Sequence, residues 1–250
     1  MKTSSGHISI ADWAVAPQEL TLAKGEVHVW RAFIDQFAAF TDEFAMALND
    51  EEQDAARRFR FERDRNSYTI TRALLRKILS RYLACDPGRL IFDYSERGKP
   101  SVSGMPLHFN VSHSRGVALF AITRDCEVGV DLEQVRAMDD LLDIARNFFS
   151  THEQSMLASL PKERQTEAFF NCWTRKEAYV KATGAGITEA LDRFAVTLAP
   201  GEAARFVNVS DDPEITARWR LSSFVPAAGF IGALAWQGPP LAQRFWDCGG

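Results

Sequence analysis

The sequence predicts an α+β fold, in which helices and mainly antiparallel strands are mixed without regular βαβ alternation. Two observations favour this class. Apolar residues recur at helical spacing in both halves of the chain, over residues 49–84 and again over 139–183. Strand-like segments follow each helical region, and GVALFAIT in the first half resembles GFIGALAW in the second. The 250 residues are enough for one large domain or two modest lobes.

The first half begins with a helical region over residues 49–84, which Asn49 or Asp50 can cap. RLIFDYS then has the composition of a strand, and ERGKPSVSGMP that of a turn and loop. The segment HFNVSHSRGVALFAITRDCEVGVDLE predicts three strands, which are separated by a polar turn and by a tight turn at Arg124 and Asp125.

The second half contains three predicted helices, over about residues 139–149, 151–160 and 166–183. Gly184 directly follows the last of them, at the usual position of a glycine beyond a helix C-terminus. Strand-like segments close the chain, namely RFAVTL, ARWRLSSFV and GFIGALAW.

Composition is typical of a soluble globular protein, with 46% hydrophobic and 25% charged residues. The net charge of −4 gives no general reason to expect a nucleic acid or an anionic membrane as partner. The longest apolar run, residues 117–122, is far too short to span a bilayer. Four widely spaced cysteines without a C-x-x-C pair argue against a zinc site and a disulfide framework. Since no signal peptide is apparent either, we expect a cytoplasmic protein without membrane insertion.

Basic residues are concentrated in residues 57–81. Nine arginines and lysines stand there against Glu62 and Asp64, an excess of seven positive charges. This stretch is a candidate phosphate-facing surface, although a helix directs only some of its side chains to one side. A solvated helix face is one alternative. An RNA- or DNA-binding patch is another, but the net charge is acidic and no interleaved aromatic platform is evident.

The predicted strand CEVGVDLEQVR places valine and leucine side chains on one face and Gly129, Asp131 and Glu133 on the other. Residues two apart in a strand point the same way, about 6.6–7 Å from each other. The two carboxylates therefore repel unless a positive group lies between them. A solvated acidic face is the alternative, because D-x-E is a common pattern.

The predicted helix FFNCWTRKEAYVKATGAG supplies partners for these carboxylates. At about 100° per residue, Trp173, Glu177, Val180 and Lys181 fall on the same side as Phe170. Glu177 and Lys181 thus share a stripe with aromatic residues. The alternative is an ordinary surface ion pair at i,i+4 spacing, worth about 0.3–0.5 kcal/mol.

Together, the strand and the helix predict a Mg²⁺ site with Asp131, Glu133 and Glu177 as oxygen ligands. Mg²⁺ favours carboxylates, keeps some of its waters and leaves room for the phosphate oxygens of a substrate. Lys181, one turn beyond Glu177, would then reach the phosphate or its leaving oxygen.

VGVDLE followed about forty residues later by WTRKEAYVKATG resembles the paired signature of 4′-phosphopantetheinyl transferases. IARNFFSTHE between them, GKP at 98–100 and FNVSHS at 109–114 are similar to the larger Sfp type of that family. The resemblance extends over about residues 50–200, with the motifs in the expected order.

The resemblance implies a monomer of two similar lobes, residues 1–126 and 127–250, related by a pseudo-twofold axis. Each lobe would pack a helix on a mainly antiparallel sheet, with coenzyme A bound between them. In the implied reaction, a serine of an apo acyl or peptidyl carrier protein attacks the β-phosphate of coenzyme A, and adenosine 3′,5′-bisphosphate is released. Secondary metabolism is the expected context. A non-catalytic carrier-protein or nucleotide-binding module of the same fold is the alternative.

The resemblance also implies roles for single residues. Glu177 is similar to the base that receives the serine proton, and Lys181 to the group that contacts the phosphates and assists the leaving group. The implied contacts to coenzyme A are Lys99, Asn110, Ser112, His113, Asp131 and Lys181. An acidic helix of the carrier would meet residues of VRAMDDLLDIAR, unless its leucines are core: Arg136, Met138, Leu141 and Leu142.

The sequence departs from the family in the helix that faces the 3′-phosphate of coenzyme A. Members of the type often have basic residues where this chain has Glu52 and Ala55. Arg58, one turn further along, is the candidate replacement, and Arg97 would add to it. Without the family, Lys99 would be an exposed lysine in a turn.

Overall fold

The computed structural model describes residues 9–10, 12–184, 191–207 and 214–249. Its helices are α1 (Thr41–Ala45), α2 (Asp50–Arg57), α3 (Glu62–Leu83), α4 (Leu141–Phe148), α5 (Thr151–Ser159), α6 (Lys162–Thr183) and α7 (Ile215–Arg218). Its strands are β1 (Ser9–Ile10), β2 (Ala14–Val15), β3 (Glu26–Phe33), β4 (Phe92–Tyr94), β5 (Pro100–Val102), β6 (His108–Ser114), β7 (Val117–Thr123), β8 (Val128–Gln134), β9 (Ala195–Val196), β10 (Phe206–Val207), β11 (Trp219–Val225), β12 (Phe230–Gln237) and β13 (Ala242–Asp247).

Most strands belong to two sheets. The five-stranded sheet has the order β2-β13-β3-β7-β6, and the four-stranded sheet has the order β1-β11-β12-β8. Strand β7 pairs antiparallel with β3 on one side and β6 on the other. Strand β12 pairs antiparallel with β11 and β8 in the same way. Strand β13 runs parallel to β2 and β3, and β1 runs parallel to β11. Helices and mainly antiparallel strands are combined in one chain, which confirms the predicted α+β class.

The two sheets share a core, and each sheet packs a long helix on its opposite face. Fully buried side chains of β3 and β8, among them Val29 and Val130, belong to the core between the sheets. Helix α3 packs with the five-stranded sheet, where Leu79 and Phe120 belong to one cluster. Helix α6 packs with the four-stranded sheet through residues such as Ala178. The valine face of β8 is therefore buried between the sheets, and its acidic face meets α6.

Strands near each end of the chain pair with strands from the opposite half of the sequence. Strand β13 lies between β2 and β3, where Trp246 is paired with both Ala14 and Trp30. Strand β1 pairs with β11 in the four-stranded sheet. The two lobes expected at residues 1–126 and 127–250 stay a prediction, and each sheet takes strands from both of these segments.

Residues 49–84 form two helices, so the prediction of one continuous helical region is wrong at residues 58–61. Asn49 caps α2 as predicted, in a reciprocal capping box with Glu52. The buried Glu52 carboxylate also accepts a hydrogen bond from Arg76 of α3 at 2.7 Å. In one straight helix these two positions would lie about 36 Å apart. The break allows α2 to fold back over α3 and form this contact.

Six strands lie in segments for which no strand was predicted, namely β1, β2, β3, β5, β10 and β13. Strand β3 is covered on both sides, with Val27 and Val29 in one core cluster and Trp30 and Ala32 in another, so it lacks the polar alternation of a surface strand. Strand β5 lies in the predicted loop ERGKPSVSGMP and consists of three residues paired with β4. Strand β13 is formed through parallel pairing with distant strands, which the local sequence does not encode.

The four cysteines are free. No helix in the described ranges combines the length and the hydropathy that crossing a bilayer requires.

Candidate active site

Alternate residues of β6 contact β8 along the line where the two sheets meet. The Asn110 side-chain oxygen accepts a hydrogen bond from the Val130 backbone N–H at 2.9 Å. Two residues further, the Ser112 hydroxyl donates to Asp131 Oδ1 at 3.0 Å. Because side chains two apart in a strand point the same way, β6 holds β8 through one row of polar groups.

Ser114 continues this row and was not singled out in the sequence. Its hydroxyl donates a hydrogen bond to Glu133 Oε2 at 3.0 Å. The signal that would have found it is the alternation of Asn110, Ser112 and Ser114, which matches the spacing of the acidic residues in β8. Ser114 orients the Glu133 carboxylate.

Helix α6 lies directly against the acidic face of β8 at Gly129. A Cβ atom at this position would lie 2.0 Å from the Ala178 carbonyl oxygen and 2.4 Å from the Ala182 nitrogen. No side chain fits at such distances, so glycine is required for this approach. The contact brings the last turns of α6, with Glu177 and Lys181, beside Asp131.

A cavity of about 320 Å³ lies where β6, β8 and α6 meet. Six residues predicted from the sequence line it: Ser112, His113, Asp131, Glu133, Glu177 and Lys181. Trp173, on the helical stripe predicted with Glu177, is also in its wall. The structure thus brings the predicted catalytic and metal-binding groups together.

Asp131 is the most enclosed carboxylate of the cavity, with 4% of the residue exposed. Its Oδ1 accepts hydrogen bonds from the Lys181 ammonium at 2.6 Å and from Ser112. Its Oδ2 is buried and has no hydrogen-bond partner within the described structure. An unpartnered buried carboxylate oxygen is unfavourable, so this position favours a further cation.

Burial raises the pKa of both Glu177 and Glu133 above the ordinary value for glutamate. The negative charge of Asp131 also raises the pKa of Glu177, and the Lys181 ammonium opposes this increase. For Glu133, the hydrogen bond from Ser114 opposes the increase and the charge of Asp131 adds to it. Burial and the neighbouring charge of Asp131 therefore disfavour the ionised forms of Glu133 and Glu177.

The donor set fits Mg²⁺ without forming a complete cage. In the ranges that the structure describes, no three His, Cys, Asp or Glu side chains are arranged to hold a metal ion. Mg²⁺ commonly binds one or two carboxylates and completes its shell with waters and substrate phosphates. A bound cation would give the buried Asp131 oxygen a partner. It would also favour the ionised forms of Glu133 and Glu177, whose pKa values are raised.

Comparison with known proteins decides the family. Residues 127–235 match the model of the 4′-phosphopantetheinyl transferase superfamily, and residues 29–124 match that of the N-terminal part of 4′-phosphopantetheinyl transferases. Over 238 residues the chain is 38% identical to the 4′-phosphopantetheinyl transferase HetI of Nostoc sp., which covers 94% of this chain and 97% of the relative. It is 32% identical over 158 residues to the 4′-phosphopantetheinyl transferase Sfp of Bacillus subtilis, covering 63% and 69% respectively. The chain belongs to the 4′-phosphopantetheinyl transferase family.

The resemblance found in the sequence motifs is thereby confirmed, as is the prediction that the chain is an enzyme. The roles of single residues in the transferase stay predictions.

A second cavity of the transferase, of about 400 Å³, meets the first at His113. Arg63 from α3 and Arg115 from the β6–β7 turn line it, and so do Asp35 and Asp64. Among the described residues, neither Arg63 nor Arg115 forms an ion pair. Partial burial and the nearby Lys181 ammonium lower the pKa of His113, so its imidazole is neutral near neutral pH. Arg63 was part of the basic stretch of residues 57–81, and Arg115, which lies outside that stretch, was not singled out in the sequence.

Lys99 lies outside both cavities of the transferase. Its ammonium contacts the Glu127 carboxylate and donates a hydrogen bond to the Ala182 carbonyl oxygen at 2.6 Å. The Asn110 side-chain oxygen is likewise occupied, by the Val130 N–H. Their contacts to coenzyme A stay predictions, and both side chains have partners within the fold.

The basic stretch of residues 57–81 does not form one phosphate-facing surface. Arg72 and Arg76 point inward, where both bind the Glu52 carboxylate. This accounts for an acidic residue at position 52, because the Glu52 carboxylate is the shared ion-pair partner of the buried Arg76 and the partly buried Arg72. Arg58 is exposed and lines neither cavity.

The basic stretch was also expected to lack interleaved aromatic residues, and the turn between α2 and α3 does not fit that expectation. Phe59 and Phe61 are 39% and 62% exposed and alternate with arginines, so interleaved aromatic residues are present after all. Arg97, in the turn between β4 and β5, is exposed and lines neither cavity. The predicted 3′-phosphate contacts of Arg58 and Arg97 therefore receive no support from the cavity geometry.

Proposed function

We propose that the chain transfers the 4′-phosphopantetheine group of coenzyme A to a serine of an apo acyl or peptidyl carrier protein, with release of adenosine 3′,5′-bisphosphate. Membership in the family supports the group that is transferred. The observation that carries the proposed site is the buried, unpartnered Oδ2 of Asp131 in a cavity that Glu133, Glu177 and Lys181 also line.

Asp131, Glu133 and Glu177 would hold Mg²⁺ at the pyrophosphate of coenzyme A. Bound there, Mg²⁺ supplies neutralisation of the phosphate charge. The Ser112 and Ser114 hydroxyls keep Asp131 and Glu133 oriented toward the cavity through their hydrogen bonds.

Glu177 is the proposed general base, acting directly or through a water. Its carboxylate lines the cavity together with Asp131 and Lys181, and a positioned carboxylate can accept a proton from the attacking hydroxyl. The serine oxygen forms a bond to the β-phosphorus of coenzyme A while its proton passes to Glu177. The bond from that phosphorus to the oxygen bridging the two phosphates breaks, and its electron pair leaves with adenosine 3′,5′-bisphosphate. The transferred group remains on the serine as a phosphodiester.

Lys181 is proposed to stabilise the leaving oxygen. Its ammonium lies at the cavity wall against Asp131 and the Ser112 hydroxyl, at 2.6 and 3.0 Å. A cation in a partly enclosed site stabilises developing negative charge more strongly than in water. Neutral His113, between the two cavities, is positioned to hydrogen-bond a phosphate group.

Arg63 and Arg115 are the groups that we propose for the 3′-phosphate of coenzyme A. Both line the cavity next to His113 and neither is neutralised by an ion pair in the described structure. Charge-assisted contacts of arginine to phosphate are frequently bidentate. We further propose that the enzyme acts as a cytoplasmic monomer on carriers of secondary metabolism.

Intact-mass analysis of apo carrier proteins incubated with the chain, coenzyme A and Mg²⁺ tests the proposal. We expect the mass of at least one carrier to increase by one phosphopantetheine group. The Asp131→Asn variant should not produce this increase. The wild type should lose its activity in a chelator and regain it when Mg²⁺ is added back. A panel of fatty-acid, polyketide and peptide-synthetase carriers also reveals the preferred pathway. Tight binding of coenzyme A without modification of any carrier would contradict the proposal and favour a non-catalytic binding module.

A further inference from the structure

Lys99 contacts the end of the helix that carries the catalytic groups, although it lies outside the catalytic cavity. It follows the turn between β4 and β5, and its ammonium donates to the carbonyl oxygen of Ala182 at 2.6 Å. Ala182 is in the last turn of α6, directly after Lys181. Carbonyl groups of the last helical turn have no partner within the helix, so Lys99 supplies one from another part of the fold.

The stem of Lys99 also packs on the residue that ends α6. Gly184 has φ of 68° and lies at the helix C-terminus. A Cβ atom at Gly184 would lie 3.2 Å from Lys99 Cδ, which places the lysine stem against this glycine. The side chain is 17% exposed, so most of it is enclosed between the β4–β5 hairpin and the helix end. A positive charge at this position is favourable for the helix dipole as well.

Glu127 fixes the Lys99 ammonium from the other side. Its carboxylate pairs with Lys99 and also contacts His108 Nδ1 at 2.9 Å. The hydrogen bond with His108 and then that with Lys99 lower the pKa of Glu127 to about 2, so it is ionised throughout the neutral range. Glu127 immediately precedes β8, the strand that carries Asp131 and Glu133. Lys99 therefore joins the end of α6 to the beginning of β8.

We propose that Lys99 is a positioning residue that holds the last turn of α6, and with it Glu177 and Lys181, in place against β8. The inference rests on the proposed function for the roles of Glu177 and Lys181. It differs from the contact to coenzyme A that the family resemblance implies for Lys99, because the ammonium already has two partners in the fold.

The two roles predict different kinetics. Lys99→Met keeps the stem and removes the charge, and we expect kcat to fall by about ten- to a hundredfold while the KM for coenzyme A changes less than about threefold. Glu127→Gln is expected to lower kcat in the same direction by a few-fold, because it loosens the ammonium without touching the helix. Lys99→Arg should recover most of kcat. Lys162→Met, a loss of charge at the exposed other end of α6, is the matched control and should behave as the wild type.

Hydrogen exchange of backbone amides gives a second measurement that does not depend on activity. We expect faster exchange at residues 178–184 in Lys99→Met than in the wild type, with unchanged exchange at residues 166–172. Three results together would overturn the inference. In Lys99→Met the KM for coenzyme A would rise with kcat unchanged, and exchange at the helix end would be unaltered. The Glu127→Gln variant would have the kinetics of the wild type. If the wild type modifies no carrier, the proposed function fails, and the exchange measurement still decides whether Lys99 holds α6.

Discussion

At the scale of single residues, the ionised carboxylates of Glu133 and Glu177 weaken the fold when no cation is present. Burial raises the pKa of Glu133 and Glu177, and the charge of Asp131 adds to both shifts. A group with a higher pKa in the folded than in the unfolded chain contributes stability at low pH. That contribution is lost as the pH rises through the raised value. Near neutral pH the ionised site is therefore strained, and a bound cation would relieve it.

Glu177→Gln should separate stability from activity. In a chelator near neutral pH, we expect the variant to melt about 2–4 °C above the wild type, because one of the mutually repelling charges is gone. Below the ordinary glutamate pKa the difference should disappear, because Glu177 is then protonated in the wild type as well. Transfer activity should fall at least about a hundredfold with the loss of the proposed base.

Added Mg²⁺ supplies the contrasting condition for this prediction. It should raise the melting temperature of the wild type more than that of Glu177→Gln, since ligand binding stabilises only the state that binds it. Glu163→Gln makes the same chemical change at the exposed start of α6 and should leave both melting temperature and activity unaltered. A Glu177→Gln variant that melts below the wild type in chelator would show that this carboxylate supports the fold instead of straining it.

At the scale of elements, the active site depends on how closely β8 and α6 approach. The helix backbone lies where a side chain at Gly129 would otherwise be, and this places Glu177 and Lys181 beside Asp131. Packed elements cannot absorb an added methyl group without moving. The position of the proposed catalytic groups is thus set by a residue that has no side chain of its own.

Gly129→Ala should displace α6 by at least about 1 Å, because the added Cβ would lie 2.0 Å from the Ala178 carbonyl oxygen. We expect a loss of transfer activity of about a hundredfold or more, together with a lower melting temperature. Gly104→Ala is the control, since a Cβ at Gly104 meets nothing within 4 Å and only the positive φ of 68° opposes it. Steady-state kinetics and thermal melting of both variants check the prediction. Wild-type kcat in Gly129→Ala would mean that α6 is not held by this contact.

At the scale of the whole molecule, two neighbouring leucines of α4 near the active site differ in their exposure to solvent. The hypothesis that Leu141 meets the carrier is wrong, because Leu141 is 5% exposed and belongs to the core. Leu142 is 37% exposed and remains a candidate. A small cavity lined by Arg136 and Met138 shares Glu133 with the catalytic cavity, so this surface leads toward the reacting groups.

Leu142→Glu should raise the KM for the carrier protein without changing the KM for coenzyme A. The substitution removes apolar contact area and adds a charge that repels the acidic helix expected on the carrier. We expect about a tenfold increase in carrier KM, which corresponds to about 1.4 kcal/mol. Met156→Glu, at a residue of α5 with 39% exposure, is the matched control and should be neutral. Equal effects of the two substitutions on carrier KM would show that α4 is not a specific docking surface.

Much of the second half of the fold was predictable, because its patterns are local. The end of α6 at Gly184 follows from the preference of a left-handed position for glycine, and the structure places the helix terminus there. The alternation in β8 correctly separated its buried face from its acidic face. Glu177 and Lys181 were placed on one side with Trp173 by helical periodicity, and all three line one cavity.

The sequence by itself determined the chemical groups of the site and the elements that carry them, because residue type and period are properties of neighbouring positions. Only the tertiary structure decided which distant groups meet. It turned Arg72 and Arg76 inward to Glu52, left Arg63 and Arg115 at the cavity beside His113, and inserted β13 between strands from the opposite end of the chain. A charge in the sequence has no partner until packing supplies one, so whether an arginine serves the core or a phosphate is settled by the contacts of the folded chain.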